Sequence, residues 1–138
     1  MRILVDTNVI MDVVIKRVPF SGAARQVLRL CALRRIHGCV AAHSITNLFF
    51  ILRKHLSAEQ RRKMLLRLCK MLTVVGVDAK KLVRALRNNA MDDFEDCLQA
   101  ECAKEFRADY IVTRNGKDFA GSAVPVVEPE EFLRMISP

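Results

Sequence analysis

The chain has 138 residues, 51% hydrophobic and 28% charged, with only five glycines and four prolines. That composition excludes a disordered or fibrous chain and fits one compact domain, residues 1–138, of ordinary size. The formal net charge of +8 points to nucleic acid, an anionic membrane surface or an acidic protein as partner, although charge also serves solubility alone.

No stretch approaches the roughly 18 consecutive apolar residues that span a bilayer. Asp6 and Asp12 interrupt any apolar segment of a secretion signal. A cytoplasmic protein with no membrane partner is expected. Five cysteines, an odd number without CxxC spacing, read as small reduced residues and not as a disulfide frame or zinc site.

Ile3 to Val5 reads as a short buried strand. Asn8 to Ile15 reads as a helix beginning just after Asp6, with Thr7 or Asn8 as its cap. Lys16 to Phe20 contains a proline and reads as a loop. Ser21 is a predicted N-cap for a helix to about Leu33, with Ala24, Val27, Leu28 and Cys31 on one face. Gly38 to Val40 is a second strand. Ser44 to His55 has helical spacing at Ile45, Leu48, Phe49 and Leu52. Ser57 and Gln60 spell a capping box for a helix to Leu72, with Met64, Leu65, Leu68 and Met71 on its apolar face.

Thr73 to Val77 is a β-branched strand, and Asp78 caps a helix through Leu86. Phe94, Leu98, Cys102 and Phe106 recur every four residues and define another helix. Asp109 turns the chain into a strand from Tyr110 to Thr113, followed by a loop from Asn115 to Phe119. Val124 to Val127 is the last strand. Pro129 at the first helical position, with Glu130 and Glu131 beside it, starts a terminal helix. Short strands alternating with helices predict an α/β protein: a three-layer α/β/α sandwich with a central parallel sheet of about five strands.

Three aspartates stand where such a sheet builds its sites. Asp6 ends the first strand and Asp118 follows the fourth; sites of open parallel sheets form outside the carboxyl ends of the strands. Asp96 lies in the first turn of the helix before that strand, and the fold must bring it to the same edge. Carboxylates meeting at about 5 Å repel by roughly 3 kcal/mol per pair at an effective dielectric near 20. Such a cluster takes up protons or binds a cation, and hard oxygen donors suit Mg²⁺ or Mn²⁺. Each acid alone has a plainer use: Asp6 as a cap or Asx turn, Asp96 as a complement to the helix dipole with Asp92, Asp93 and Glu95, Asp118 as a turn residue. The combination carries the chemical reading.

Ile3-Leu-Val-Asp-Thr-Asn8, Asp93-Phe-Glu-Asp-Cys-Leu-Gln-Ala100 and Asp109-Tyr-Ile-Val-Thr-Arg-Asn-Gly-Lys-Asp-Phe119 together resemble the PIN-domain family, in particular its small VapC-like ribonuclease toxins. The resemblance runs over nearly the whole chain. It implies a Mg²⁺- or Mn²⁺-dependent endoribonuclease in which Asp96 joins Asp6 and Asp118. By the match, Asp6 and Asp96 are metal ligands, and Asp118 or Asn115 completes the site. Thr113 supports it through its hydroxyl, and Asn8 orients Asp6 or a bound water. The family's second acid, a glutamate early in the third helix, falls here on Asn47. Asparagine offers an oxygen without charge, so Asp92, Asp93 or Glu95 must compensate or metal affinity falls.

Arg114 and Lys117 flank the last acids, and with Arg17 and Arg53 they are the predicted phosphate contacts. Arg61, Arg62, Lys63, Arg67 and Lys70 form either a solvated helix face or a track for an RNA backbone. His37, His43 and His55 are isolated, and metal-assisted hydrolysis needs no histidine. The Leu-, Phe- and Met-rich helices are core, a homodimer face or a groove for an antitoxin helix. Two other functions compete with a toxin ribonuclease. One is a nucleic-acid-binding module whose site is weakened by Asn47. The other is a receiver-like phosphotransfer domain, disfavoured because the later strand ends in Thr-Arg-Asn, with Lys117 only in the loop beyond.

Overall fold

Five short strands alternate with seven helices in the computed structural model, which describes residues 1–138. In order they are β1 (Arg2–Val5), α1 (Thr7–Val14), α2 (Ser21–Ala32), β2 (His37–Ala41), α3 (Ala42–Ile51) and α4 (Ala58–Met71). Then come β3 (Thr73–Val75), α5 (Ala79–Arg87), α6 (Phe94–Phe106), β4 (Tyr110–Val112), β5 (Val126–Val127) and α7 (Pro129–Ile136). Single 3₁₀ turns follow α3 at Leu52–Lys54 and β4 at Gly116–Phe119. All strand pairs are parallel, in the order β3-β2-β1-β4-β5. The chain lays strands outward from β1 to β3, then returns to the other side of β1 for β4. The α/β/α sandwich with a five-stranded parallel sheet is therefore the fold.

Strand periodicity explains the two helical layers. Ile3, Val5, Val40, Val112 and Val127 face a core completed by α1, α2, α4 and α7, including Val9, Val27, Leu68 and Phe132. Leu4, Cys39, Ala41, Val75 and Ile111 face the opposite core with Leu98, Cys102 and Phe106 of α6. Successive side chains point to opposite faces, so β1, β2 and β4 feed both cores and read as continuous apolar runs, whereas the edge strand β3 buries only Val75. Gly38 is required by this packing: a Cβ there would stand 2.6 Å from Cys31 Sγ and 2.7 Å from a Leu72 methyl. All five cysteines are free thiols, and only Cys69 is exposed.

Several boundaries differ from the sequence reading. Asp6, not Thr7 or Asn8, occupies the cap position of α1, and its carboxylate makes no capping bond. Phe20 precedes α2 with a helical backbone, so Ser21 is the first helical residue and not the cap. The third helix begins at Ala42, straight from β2, and ends at Ile51. The strands β3, β4 and β5 are shorter than the apolar runs containing them, because pairing ends where the neighbouring strand ends. The capping box at Ser57 and Gln60, the Asp78 cap and Pro129 at the start of α7 are present. No helix is long and apolar enough to cross a membrane.

Candidate metal and phosphate site at the sheet edge

The sheet reverses its order between β1 and β4, and both strands end there. Asp6 N donates to Val112 O at 3.0 Å, extending the ladder by one bond and fixing Asp6 beside the start of the loop after β4. Beyond this switch point lies an open cavity of about 240 Å³ lined by Asp6, Asp96 and Asp118. The fold thus brings Asp6 together with two acids that lie 90 residues or more further along the sequence. Asn8, Arg17, Asn47 and Asn115 line the same cavity. Glu95 joins them, whereas Asp93 is held at the cap of α6, where it accepts from Asp96 N at 3.0 Å. Of the acids considered as a substitute for the missing glutamate, Glu95 is the one at the cavity.

Asp6 is 5% exposed and doubly held. Thr113 Oγ1 donates to its Oδ2 at 2.6 Å, and Gln99 Nε2 donates to its Oδ1 at 2.8 Å. Burial pushes its pKa up, and these two bonds oppose the rise. Thr113 is itself fixed: its hydroxyl oxygen accepts from Asn8 Nδ2 at 3.3 Å and from Asn115 N at 3.0 Å. Asn8 therefore reaches Asp6 through Thr113 and not directly. Asp96 is pushed up to about 7, first by burial and then by the charges of Asp93, Asp6 and Asp118, against a hydrogen bond from Gln99. Mutual repulsion among the acids is thus a property of the site, and a cation relieves it.

The predicted basic residues separate into distinct groups. Arg17 lies at the cavity rim, 3.3 Å from Asp12 with its side chain 41% exposed. Lys117 is exposed on the turn carrying Asp118. Arg114 is not a free phosphate contact, because its guanidinium grips both oxygens of buried Asp12 and lies over the Phe20 ring, 4.1 Å from the centroid. Arg53 stacks on Phe50 at 3.9 Å and donates to the Phe50 carbonyl at 2.9 Å, outside the cavity lining. On α4, Arg61 donates to Phe49 O at 2.6 Å, and the Arg61 and Arg62 guanidinia cover the Phe49 ring. That helix's cations are partly engaged in packing.

The sequence reading gave two residues no role at the site. Gln99 follows Asp96 by three positions, a spacing that places both on one helix face. Asp12 interrupts the apolar run Val9-Ile10-Met11. A lone acid on a buried face signals a paired charge, but its partner lies 102 residues away.

No three His, Cys, Asp or Glu side chains are gathered tightly enough to hold a metal ion directly. The donors present still suit a hydrated divalent ion, since Mg²⁺ keeps several waters and takes only one or two carboxylates. Asp6 and Asp96 are the carboxylates that would hold such an ion. Gln99 Oε1 is buried and has no hydrogen-bond partner in the protein.

A parallel α/β sandwich with carboxylates gathered at the switch point belongs to the open α/β sheets that bind their ligands at that place. The sequence profile of the PIN domain matches residues 2–117, and the chain belongs to the PIN-domain family. Solved structures share the fold. VapC20 of Mycobacterium tuberculosis, described as a Sarcin-Ricin loop cleaving toxin, superposes with a TM-score of 0.71 at 19% identity, covering 92% of this chain and 99% of that one. A toxin-antitoxin complex from Klebsiella pneumoniae gives 0.67 at 24% identity, covering 91% and 96%. VapBC2 of Rickettsia felis, bound to a promoter DNA fragment, gives 0.68 at 18% identity, covering 93% and 98%. No curated protein matches the sequence.

Proposed function

We propose that this protein is a divalent-metal-dependent endoribonuclease that acts as the toxin of a toxin–antitoxin pair in the cytoplasm, with residues 1–138 forming one catalytic domain. The observation that carries the reading is the convergence of Asp6, Asp96 and Asp118 on one open cavity at the sheet edge. Family membership and the toxins that share the fold support it. Asp6 and Asp96 hold Mg²⁺ or Mn²⁺, with Asp118 and Asn115 completing the site from the loop after β4. When bound, such an ion lowers the pKa of water and neutralises charge on the phosphoryl group.

The chain's own residues do the rest. Thr113, steadied by Asn8, orients the Asp6 carboxylate. Arg17 and Lys117 receive the RNA backbone, giving affinity that falls with salt. Arg114 acts indirectly, by fastening the start of the loop to Asp12. An antitoxin protein is the proposed partner, and the exposed apolar residues Phe50, Ile51 and Leu66 offer a surface for it or for a second copy of the chain.

A second reading is favoured by one observation: Asn47 at the cavity carries no charge, and the acids do not close around an ion. In that reading the protein binds RNA without cutting it. Incubation with structured RNA and Mn²⁺, beside Asp6→Asn and Asp96→Asn, decides between the two. Cleavage by the wild type alone supports the nuclease. Cleavage that persists in both variants refutes the site, and binding without cleavage under any metal favours the second reading.

A further inference from the structure

We propose that Gln99 is a positioning residue that clamps Asp6 to Asp96 and holds their separation for the cation; the inference rests on the metal-dependent reading above. Gln99 is only 3% exposed, yet it lines the cavity. Its Nε2 donates to Asp6 Oδ1 at 2.8 Å and to Asp96 Oδ1 at 3.3 Å. An amide nitrogen has two hydrogens, and one goes to each acid. The opposite rotation of the amide would set its oxygen against two carboxylates, so the charges of the acids determine its orientation.

The other end of the same amide has no partner. Oε1 is buried and accepts no hydrogen bond from the protein. A glutamine used only for packing would satisfy both ends within the fold, because a buried acceptor left unmatched is costly. The amide leaves its oxygen unmatched while both hydrogens reach the acids, which ties its placement to the two carboxylates. Gln99 thereby does what Asn47, an uncharged residue at the expected acid position, does not. It sets the separation of the two acids and screens their repulsion before a cation arrives.

Mn²⁺ binding, followed by calorimetry and by electron paramagnetic resonance, tests this on wild type, Gln99→Met, Gln99→Glu and Asp6→Asn. Gln99→Met keeps the length of the side chain and loses the amide; its Mn²⁺ affinity falls by about 10- to 100-fold, the usual effect of removing a group that orients a metal ligand. Gln99→Glu loses the donors and adds a further carboxylate beside Asp6 and Asp96. It melts below wild type without metal, and saturating Mn²⁺ raises its melting temperature by more than it raises that of wild type. A role in packing alone would not make the defect depend on metal. If Gln99→Met does not fold, Gln99→Glu decides by the same comparison. Mn²⁺ binding that is abolished by Asp6→Asn but unchanged in both Gln99 variants overturns the clamp and leaves the metal site standing. No Mn²⁺ binding by wild type overturns both.

Discussion

Replacing Asp12 by alanine asks whether one buried ion pair fastens the loop that carries Asn115 and Asp118. Asp12 is fully buried, bonded by Arg114 through both oxygens and 3.3 Å from Arg17. Breaking a fully buried pair from one side costs about 3–5 kcal/mol. Here the stranded cations are Arg114 and Arg17, with side chains 18% and 41% exposed, so they regain water and the cost lies at the lower end, about 3 kcal/mol. At about 2.1 cal/mol/K of unfolding entropy per residue, 138 residues give about 0.29 kcal/mol/K, and the loss appears as a fall of about 10 °C in Tm. Arg114→Ala should cost less, about 2 kcal/mol, because Arg17 still faces Asp12. A double-mutant cycle by calorimetry then yields a coupling of about 1.5 kcal/mol or more. A strictly additive double variant, or an Asp12→Ala fall of only about 3 °C, roughly 1 kcal/mol, would refute the hub.

Asn47→Glu places a charge at the cavity beside Asp6 and Asp96; Mn²⁺ affinity rises by about tenfold or more as ligand charge increases, while the metal-free protein loses stability, both read by calorimetry. Arg17→Ala weakens RNA binding and flattens its dependence on salt by about one phosphate contact, measured by fluorescence anisotropy at several salt concentrations. His43 gives a pH signature. Burial holds its pKa below the ordinary value despite the hydrogen bond to the Glu95 carbonyl and the charges of Glu95 and Asp93. A depressed pKa means the folded state prefers the neutral ring, so this contribution is full above the ordinary value of 6.5 and is lost as pH falls through the folded pKa. Melting curves from pH 7.5 downward should therefore fall more steeply for wild type than for His43→Gln; parallel curves would contradict the assignment. Leu48→Ala, at a fully buried position on α3, should cost about 2–5 kcal/mol in urea unfolding.

The class of fold was legible because the signals that set it are local. Apolar runs of strand length, the capping box at Ser57 and Gln60, the Asp78 cap and Pro129 at a helix start each report a backbone preference within a few residues, and the structure has all of them. Boundaries were less legible where a long-range partner decides them. The strand reading for Val124 to Val127 shrinks to Val126–Val127 because β4 is only three residues long. Asp6, Asp96 and Asp118 could be named from sequence through their places at a strand end, a helix start and a motif. Their meeting could not be derived from spacing, since only the crossovers bring α6 over the edge of β1.

Sequence by itself determined the basic charge, the alternation of strand and helix and the identity of the acids, because composition and periodicity are properties of neighbouring residues. Tertiary structure alone decided how far each cation is engaged. Arg114 looks like a phosphate contact beside Asp118, yet it is claimed by an acid on α1, while Arg17 remains at the rim. It also decided that Gln99 bridges Asp6 and Asp96. Both outcomes turn on pairings more than 90 residues apart, and which buried polar groups satisfy one another is set only when the chain has closed on itself.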